Sequence, residues 1–232
     1  MEGIDGLFFV LPANPAQEVS FAANILDSAR EKGIKHLVYS SVARTGSHED
    51  FPGWSNDYPM AWYWLNKAEI EQRVREAGFA SWTILRPAFF MSNFCQPDCS
   101  FMFPELAEGH ELRSAFRPET RLHLVDVADI ARFAAASFDG PAEFAGKTIP
   151  LASEALTLDE IANNLSEVAK EVKVVYLTED DAQRLKAEGR VVMDAQIWQR
   201  DVGYNVDLEA VKSYGITLTS FSGMLRREGL GW

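Results

Sequence analysis

Short apolar runs alternate with helix-like stretches through the first two-thirds of this chain, and this alternation constrains its fold more than any other feature. The apolar runs predict strands at residues 7–11, 34–39 and 82–85. Between them, apolar residues recur at helical spacing after Asn14-Pro15, and a second helix is predicted at residues 61–77. Apolar strands separated by helices are typical of a parallel sheet that is covered on both faces. We therefore predict an α/β fold with a parallel sheet flanked by helices.

Beyond residue 87 the pattern becomes irregular, and residues 88–121 are predicted to be rich in loops. Asp126 is placed to cap a helix that runs to about residue 138. Thr157 and Glu160 form a capping-box pattern at the start of another helix. Further strands are predicted at residues 122–125, 147–151 and 173–177. The remainder is predicted to be mostly helical.

The charge of the chain excludes some classes of partner. Its formal net charge is −12 and its pI is about 4.8. Nucleic acid and anionic membranes attract a positive field, so we predict binding to neither. No apolar run is long enough to span a bilayer, and the acidic Glu2 and Asp5 stand where a signal peptide carries positive charge. We expect a soluble, cytoplasmic protein.

The two cysteines, Cys95 and Cys99, are four residues apart and have no histidine close by. A structural zinc site needs about four ligands, and this pair supplies two. We therefore predict no metal site and interpret the cysteines as two reduced thiols on a loop.

Six blocks of sequence, in order, resemble the NmrA-like family of atypical short-chain dehydrogenases. They lie at residues 6–10, 34–42, 67–71, 82–93 (WTILRPAFFMSN), 125–131 and 145–152. The resemblance implies a Rossmann-like domain with a small C-terminal substrate lobe, in a family of NADPH-dependent reductases and of redox-sensing regulators that bind the nucleotide without turnover. We accordingly assign residues 1–150 to the core, with 88–121 contributing to the lobe, and residues 151–232 to the lobe itself.

The chain departs from the family pattern at its start. A dinucleotide-binding fold normally opens with a strand, a G-x-G-x-x-G turn and a helix whose N-terminus holds the pyrophosphate. None of the 15 glycines falls into that pattern, and by the resemblance this part should precede Met1. We therefore expect NADP(H), the cofactor that the resemblance implies, to bind weakly or not at all.

The same departure affects the first predicted strand. In the Rossmann strand order, residues 7–11 would pair with the family's first strand, so here they would lie at the edge of the sheet. A continuous apolar edge without charge or proline favours pairing with another chain. We therefore predict a homodimer formed through the edge of residues 7–11.

Three residues are candidates for catalysis. Tyr63 and Lys67 are spaced i, i+4, so both project from one face of the predicted helix. They resemble the Tyr-x-x-x-Lys pair of short-chain dehydrogenases, in which tyrosine is the general acid or base and the ammonium lowers its pKa. Ser41 follows the second strand, where by the same resemblance a serine polarises the substrate carbonyl. An i, i+4 pair also arises by chance, and a purely structural role stays open.

Other candidates follow from the resemblance or from position. Residues at or just after strand ends would, by the resemblance, flank the nicotinamide half of the cofactor: Leu11, Pro12, Ser40, Pro87, Ala88 and Phe89. By the same resemblance Lys67, on the predicted helix, and Asn93, after the loop that follows the third strand, would also bind the cofactor. His123 lies in an apolar run and is interpreted as a core histidine. Asp126 and Asp129 are interpreted as carboxylates at a helix start. The aromatics between Phe89 and Phe103 could line a substrate pocket or form a core.

Three functions are compatible with these residues. The first is an NmrA-type oxidoreductase that acts on a small organic carbonyl or hydroxy compound. The second is a non-redox dehydratase or isomerase that uses Ser41, Tyr63 and Lys67 for proton transfer. The third is a catalytically silent regulatory or binding protein.

Overall fold

The computed structural model describes residues 3–232, so Glu2 lies outside the described residues. The chain divides into two compact units. The first contains the residues up to Pro87 together with Ile130–Leu151, and the second contains Ala88–Asp129 together with Ala152–Trp232. Residues 122–129 therefore belong to the second unit, whereas the sequence-based division assigns them to the core.

The strands of the described chain are short. In chain order they are β1 (Gly6–Val10), β2 (His36–Ser40), β3 (Ser81–Pro87), β4 (Phe89–Phe90), β5 (Glu111–Ser114), β6 (Leu122–Val125), β7 (Lys147–Leu151), β8 (Glu154–Leu156) and β9 (Lys173–Tyr176). The strands predicted from apolar runs are confirmed, within two residues at each end. Three strands are not predicted, namely β4, β5 and β8, because each has at most four residues and β5 and β8 carry charged side chains.

The first unit contains a parallel sheet with the order β1-β2-β3-β7. One face of this sheet forms a core in which the rings of Phe9 and Tyr39 are stacked 4.7 Å apart. Burial of such apolar side chains is the main force that holds the sheet against its helices. The predicted α/β fold is therefore confirmed, with β1 at one edge of the four strands.

The helices are, in chain order, α1 (Glu18–Glu31), α2 (Ala61–Glu76), α3 (Cys99–Met102), α4 (Leu106–Gly109), α5 (Val127–Asp139), α6 (Pro141–Phe144), α7 (Leu158–Ser166), α8 (Glu179–Ala187), α9 (Val192–Asp201), α10 (Leu208–Lys212) and α11 (Phe221–Glu228). The predicted helix at residues 61–77 is confirmed as α2. Gly33 and Gly78, which follow α1 and α2, have φ values of +71° and +77°. This left-handed conformation favours glycine and ends each helix. None of the helices described here is long and apolar enough to cross a membrane.

The start of α1 differs from the prediction. The helix begins at Glu18 and not beside Pro15. The Asn14 carboxamide oxygen accepts hydrogen bonds from the backbone N–H of Ala16 and of Gln17, each at 3.0 Å. An asparagine that bonds to its own following backbone forms a turn in place of the first helical turn.

The second unit has an aromatic core. The ring of Phe94 stacks on Phe103 at 5.0 Å and meets Phe221 at 5.3 Å. Phe89 belongs to the same core, whereas Phe101 is 60% exposed. Most of the aromatics after β3 therefore have a structural role in the described unit.

The cysteines also pack in this unit. Both Cys95 and Cys99 are buried and free. Cys99 is the first residue of α3, so the prediction that both thiols lie on a loop is wrong for Cys99. Burial raises the pKa of the Cys95 thiol to about 11, so this thiol stays protonated at neutral pH.

Two predicted helix caps are confirmed. Asp126 Oδ1 accepts from the backbone N–H of Ala128 at 3.0 Å at the start of α5. Thr157 and Glu160 form the reciprocal capping box at the start of α7, with distances of 3.2 Å and 2.8 Å. These side chains satisfy backbone donors that a helix start leaves unpaired.

Candidate active site

The candidate residues of the first unit lie at the carboxyl ends of its parallel strands. Beyond β2, the backbone N–H of Ser41 donates to the Leu85 carbonyl at 2.7 Å, and that of Ala43 donates to the Pro87 carbonyl at 2.9 Å. The segment after β2 therefore continues alongside β3 past the end of the ladder. The carboxyl end of a parallel sheet is where α/β proteins bind ligands.

Ser41 is held by a local hydroxyl pair. Its Oγ lies 3.3 Å from the Oγ1 of Thr45. Thr45 donates its own hydroxyl proton to the Val42 carbonyl at 2.8 Å. Because a hydroxyl has one proton, Ser41 is the donor of the pair, and it can redirect that proton only by giving up this contact.

Tyr63 and Lys67 meet on one face of α2, as their spacing predicts. The Lys67 Nζ lies 5.7 Å from the centroid of the Tyr63 ring. Tyr63 is partly buried, and Lys67 is 4% exposed. The structure thus brings the two predicted residues together, but it places the lysine in the protein interior.

Lys67 has a partner that the sequence analysis missed. Its Nζ lies 2.6 Å from the Oε1 of Glu18, whose side chain is fully buried at the first position of α1. The second carboxylate oxygen, Oε2, has no hydrogen-bond partner among the described residues. A signal was present in the sequence, because Glu18 precedes Ala22 and Leu26 at four-residue spacing on the buried face of α1.

This ion pair changes the electrostatics around Tyr63. A carboxylate at 2.6 Å largely cancels the field of the ammonium at longer range. Lys67 therefore contributes position more than positive charge. The buried acids also affect Tyr39. Burial raises the pKa of the Tyr39 hydroxyl, and the negative charges of Glu18 and Glu71 raise it further.

A second buried acid follows Lys67 on α2. The carboxylate of Glu71 accepts from the Arg86 guanidinium at 2.9 Å and 2.7 Å, and from Arg75 at 2.6 Å. Arg86 lies on β3, so this pair fastens α2 to the sheet. The two acids on the buried side, Glu18 and Glu71, are thus each compensated by a basic side chain.

The residues assigned by resemblance to the nicotinamide side are distributed over both units. In the first unit, Leu11, Ser40 and Pro87 are buried at strand ends and Pro12 is exposed. Ala88, Phe89 and Asn93 belong to the second unit. There Ala88 and Phe89 are buried, and Asn93 is partly buried. Their roles toward a cofactor stay predictions.

The described residues do not provide a pyrophosphate cradle. The strands β1, β2 and β3 are followed by residues without a glycine-rich turn. The helix after β1 opens on Glu18, a buried acid, where a pyrophosphate would need free N–H groups and no negative charge. These residues therefore do not fit the phosphate half of NADP(H).

Polar residues of the second unit have structural partners. Asp126 is buried and pairs with Arg227 at 2.7 Å. Asp129 accepts from the backbone N–H and the hydroxyl of Thr219, each at 2.9 Å. His123 is partly buried on β6, and this burial lowers its pKa. Within residues 3–232, no three histidine, cysteine or acidic side chains come together as metal ligands.

Two sequence relatives match a large part of this chain. An NmrA-like family domain-containing protein of Dictyostelium discoideum is 26% identical over 76% of this chain and 58% of its own length. An NmrA-like family domain-containing oxidoreductase of Malbranchea aurantiaca is 26% identical over 66% of this chain and 46% of its own length. The chain thus spans about half the length of these curated relatives.

Solved structures share the fold. The NADPH-dependent quinone oxidoreductase of Escherichia coli, in complex with NADPH, has a TM-score of 0.72 with this chain at 21% identity, covering 97% of this chain and 77% of the other. The sequence model of the NmrA-like family matches residues 1–216. A match over nearly the whole sequence, together with this fold, shows that the chain belongs to the NmrA-like family.

Proposed function

We propose that this protein is an NmrA-type oxidoreductase that acts on a small organic carbonyl or hydroxy compound. The observation that carries the proposal is the placement of Tyr63 beside Lys67 on α2. Ser41 directly follows β2, the strand that ends at Ser40 and precedes α2 in the chain. The name of the Malbranchea aurantiaca relative, an oxidoreductase, supports the same class of reaction.

The proton chemistry follows from the side chains. The Ser41 hydroxyl can donate to a substrate oxygen when it releases Thr45, and so polarise a carbonyl. The Tyr63 hydroxyl would supply the proton that the substrate oxygen gains on reduction, or remove it in the reverse direction. Lys67, fixed by Glu18, lies against the Tyr63 ring and would help to position it.

NADP(H) is the cofactor that the family implies, and it would supply the hydride when bound. We expect this chain alone to bind it weakly, because the described residues contribute no pyrophosphate cradle. The test is a titration of NADPH followed by its fluorescence, with a second assay for NADPH consumption at millimolar cofactor with quinones and unsaturated aldehydes. We expect affinity weaker than micromolar and slow, substrate-dependent consumption.

Two results would count against this proposal in different ways. Micromolar affinity would show that our inference about the phosphate half is wrong. Consumption of NADPH at the rate of a protein-free control, even at millimolar cofactor, would show that the chain is not a reductase. Conversion of substrate without NADPH consumption would instead select the non-redox dehydratase or isomerase.

A binding or regulatory protein without turnover is the second candidate. The neutralised charge of Lys67 favours it, because an ammonium paired with a buried carboxylate stabilises phenolate less than a free one does. This candidate requires ligand binding with no change of the ligand. The same two assays distinguish it from the reductase.

We further propose that the protein forms a homodimer through the outer edge of β1. No described strand pairs with that edge, and Gly6–Val10 contains neither charge nor proline. Phe8 and Val10 on this strand are 39% and 58% exposed. Two copies related by a two-fold axis would each cover the same apolar surface of the other.

Sedimentation velocity tests the dimer. We expect the wild-type protein to be a dimer at micromolar concentration and Val10→Lys to be a monomer. The lysine would have to be buried in the dimer interface, and a lysine on an edge strand opposes pairing. The exposed Val191→Lys, far from β1 in sequence and in the second unit, is the matched control and should stay dimeric. A monomeric wild-type protein at micromolar concentration would contradict the proposal.

A further inference from the structure

Arg44 has an unusual backbone conformation beside the candidate active site. It lies three residues after Ser41, and its φ is +71°. A non-glycine residue in the left-handed region is strained, and such residues concentrate where a side chain must be presented in one fixed direction. The turn is held by the hydrogen bond from the Ser47 N–H to the Arg44 carbonyl at 3.0 Å, and by Thr45 on Val42.

An aromatic platform fixes the Arg44 side chain. The guanidinium carbon lies 5.6 Å from the centroid of the Phe51 ring, within the range of a cation–π contact. Phe51 is buried and packs edge-on against Trp64 of α2 at 5.1 Å. The ring of Trp54 also packs on Phe51, at 6.1 Å. Arg44 therefore loses little further side-chain freedom when it binds a ligand.

The guanidinium has no acidic partner among residues 3–232. Its Nε is buried and makes no hydrogen bond to a described residue. The contrast with Arg86 is informative, because that guanidinium donates to both carboxylate oxygens of Glu71. A buried N–H without a partner is costly in a folded protein. Because this Nε is closed to solvent, a ligand oxygen would meet the terminal N–H groups of the partly exposed Arg44 side chain.

The left-handed backbone, the contact with the Phe51 ring and the lack of an acidic partner together indicate a side chain placed to bind a ligand. We propose that Arg44 binds the carboxylate or phosphate group of an anionic small-molecule ligand at the carboxyl end of β2. This assignment names the chemical class of the ligand and rests on the proposed function only for the site's location. A planar guanidinium offers two parallel N–H groups that match two oxygens of a carboxylate or phosphate. In a chain with a net charge of −12, such a ligand needs a local cation to be bound.

The test uses binding without turnover. Benzoate and phenyl phosphate are titrated into the full chain without cofactor, followed by tryptophan fluorescence and by calorimetry, with benzamide as the neutral counterpart. We expect at least one anion to bind and benzamide to bind more weakly. Preference for benzoate or for phenyl phosphate identifies which of the two anionic groups the site takes.

Variants of Arg44 separate recognition from general charge. Arg44→Gln should weaken anion binding by roughly 10- to 100-fold, since a charged hydrogen bond is lost. Arg44→Lys should also weaken it, because the forked geometry is lost. Arg73→Gln, an arginine on the exposed side of α2 that pairs with Glu69, removes the same charge and should leave affinity unchanged.

Arg44→Gly distinguishes binding from a structural role. Glycine relieves the left-handed strain, so the thermal unfolding midpoint should not fall while anion binding is lost. A residue that only stabilised the loop would lower that midpoint when removed. The proposal is overturned if the wild type binds neither anion, if benzamide binds as tightly, or if Arg44→Gln binds with unchanged affinity. NADPH consumption is measured separately, so an inactive chain that still binds benzoate through Arg44 would refute the reductase alone.

Discussion

Replacing Lys67 with methionine is expected to lower the free energy of unfolding by about 3–5 kcal/mol, among the largest effects of any single substitution in this chain. The substitution keeps most of the apolar volume of the side chain but removes the ammonium 2.6 Å from Glu18. The fully buried Glu18 carboxylate is then left without its counter-charge. Urea denaturation followed by circular dichroism measures the loss.

The double variant Glu18→Gln with Lys67→Met tests the cause. If the cost arises from an unpaired buried charge, removing both charges should restore most of the stability, because the pair itself is worth much less than the penalty of breaking it. The single variants should each be clearly less stable than the double variant. If the double variant lost as much stability as either single variant, or the sum of both losses, packing and not the ion pair would explain the effect.

The Lys35–Asp5 pair provides the matched control. Its two atoms are 2.8 Å apart, close to the Lys67–Glu18 distance, but the side chains are 62% and 68% exposed. Water already screens such a pair, so Lys35→Met should leave the unfolding midpoint unchanged within error. A comparable loss in both variants would mean that burial is not what gives the Lys67 pair its energetic weight.

The sequence was sufficient for elements that depend on local pattern. The apolar runs that became β1, β2 and β3 alternate with α1 and α2, and this alternation favours parallel pairing. The cap of Thr157 depends on residues three apart, so it could also be predicted. Short strands such as β5 depend on a distant partner, β9, and carry no such local pattern.

The candidate site was only half predictable, for a related reason. The contact between Tyr63 and Lys67 follows from helical spacing, whereas the ion pair of Lys67 joins residues 49 positions apart. A glutamate at a helix start is usually solvated. Only the four-residue spacing from Glu18 to Ala22 and Leu26 indicates that it lies on the buried face of α1. The left-handed backbone of Arg44 is set by the surrounding turn and has no sequence signature of its own.

Replacing Tyr63 with phenylalanine is expected to reduce kcat by about 10²- to 10⁴-fold if the protein transfers a proton through this hydroxyl. The variant keeps the ring that lies 5.7 Å from the Lys67 ammonium, so the fold and the ion pair should persist. Steady-state rates on the best carbonyl substrate, with the unfolding midpoint measured in parallel, separate lost chemistry from lost structure.

Tyr176→Phe is the control for this experiment. It removes a tyrosine hydroxyl that donates to Asp159 at 2.7 Å in the second unit, so it tests the loss of a hydroxyl as such and should leave kcat unchanged. A Tyr63→Phe variant with a rate within about twofold of wild type would exclude this tyrosine as the general acid, because that role is worth at least about 10²-fold. The outcome also tests whether this site needs a nearby uncompensated positive charge, since Glu18 already neutralises Lys67. A large loss of kcat in Tyr63→Phe would mean that Tyr63 transfers a proton without such a charge.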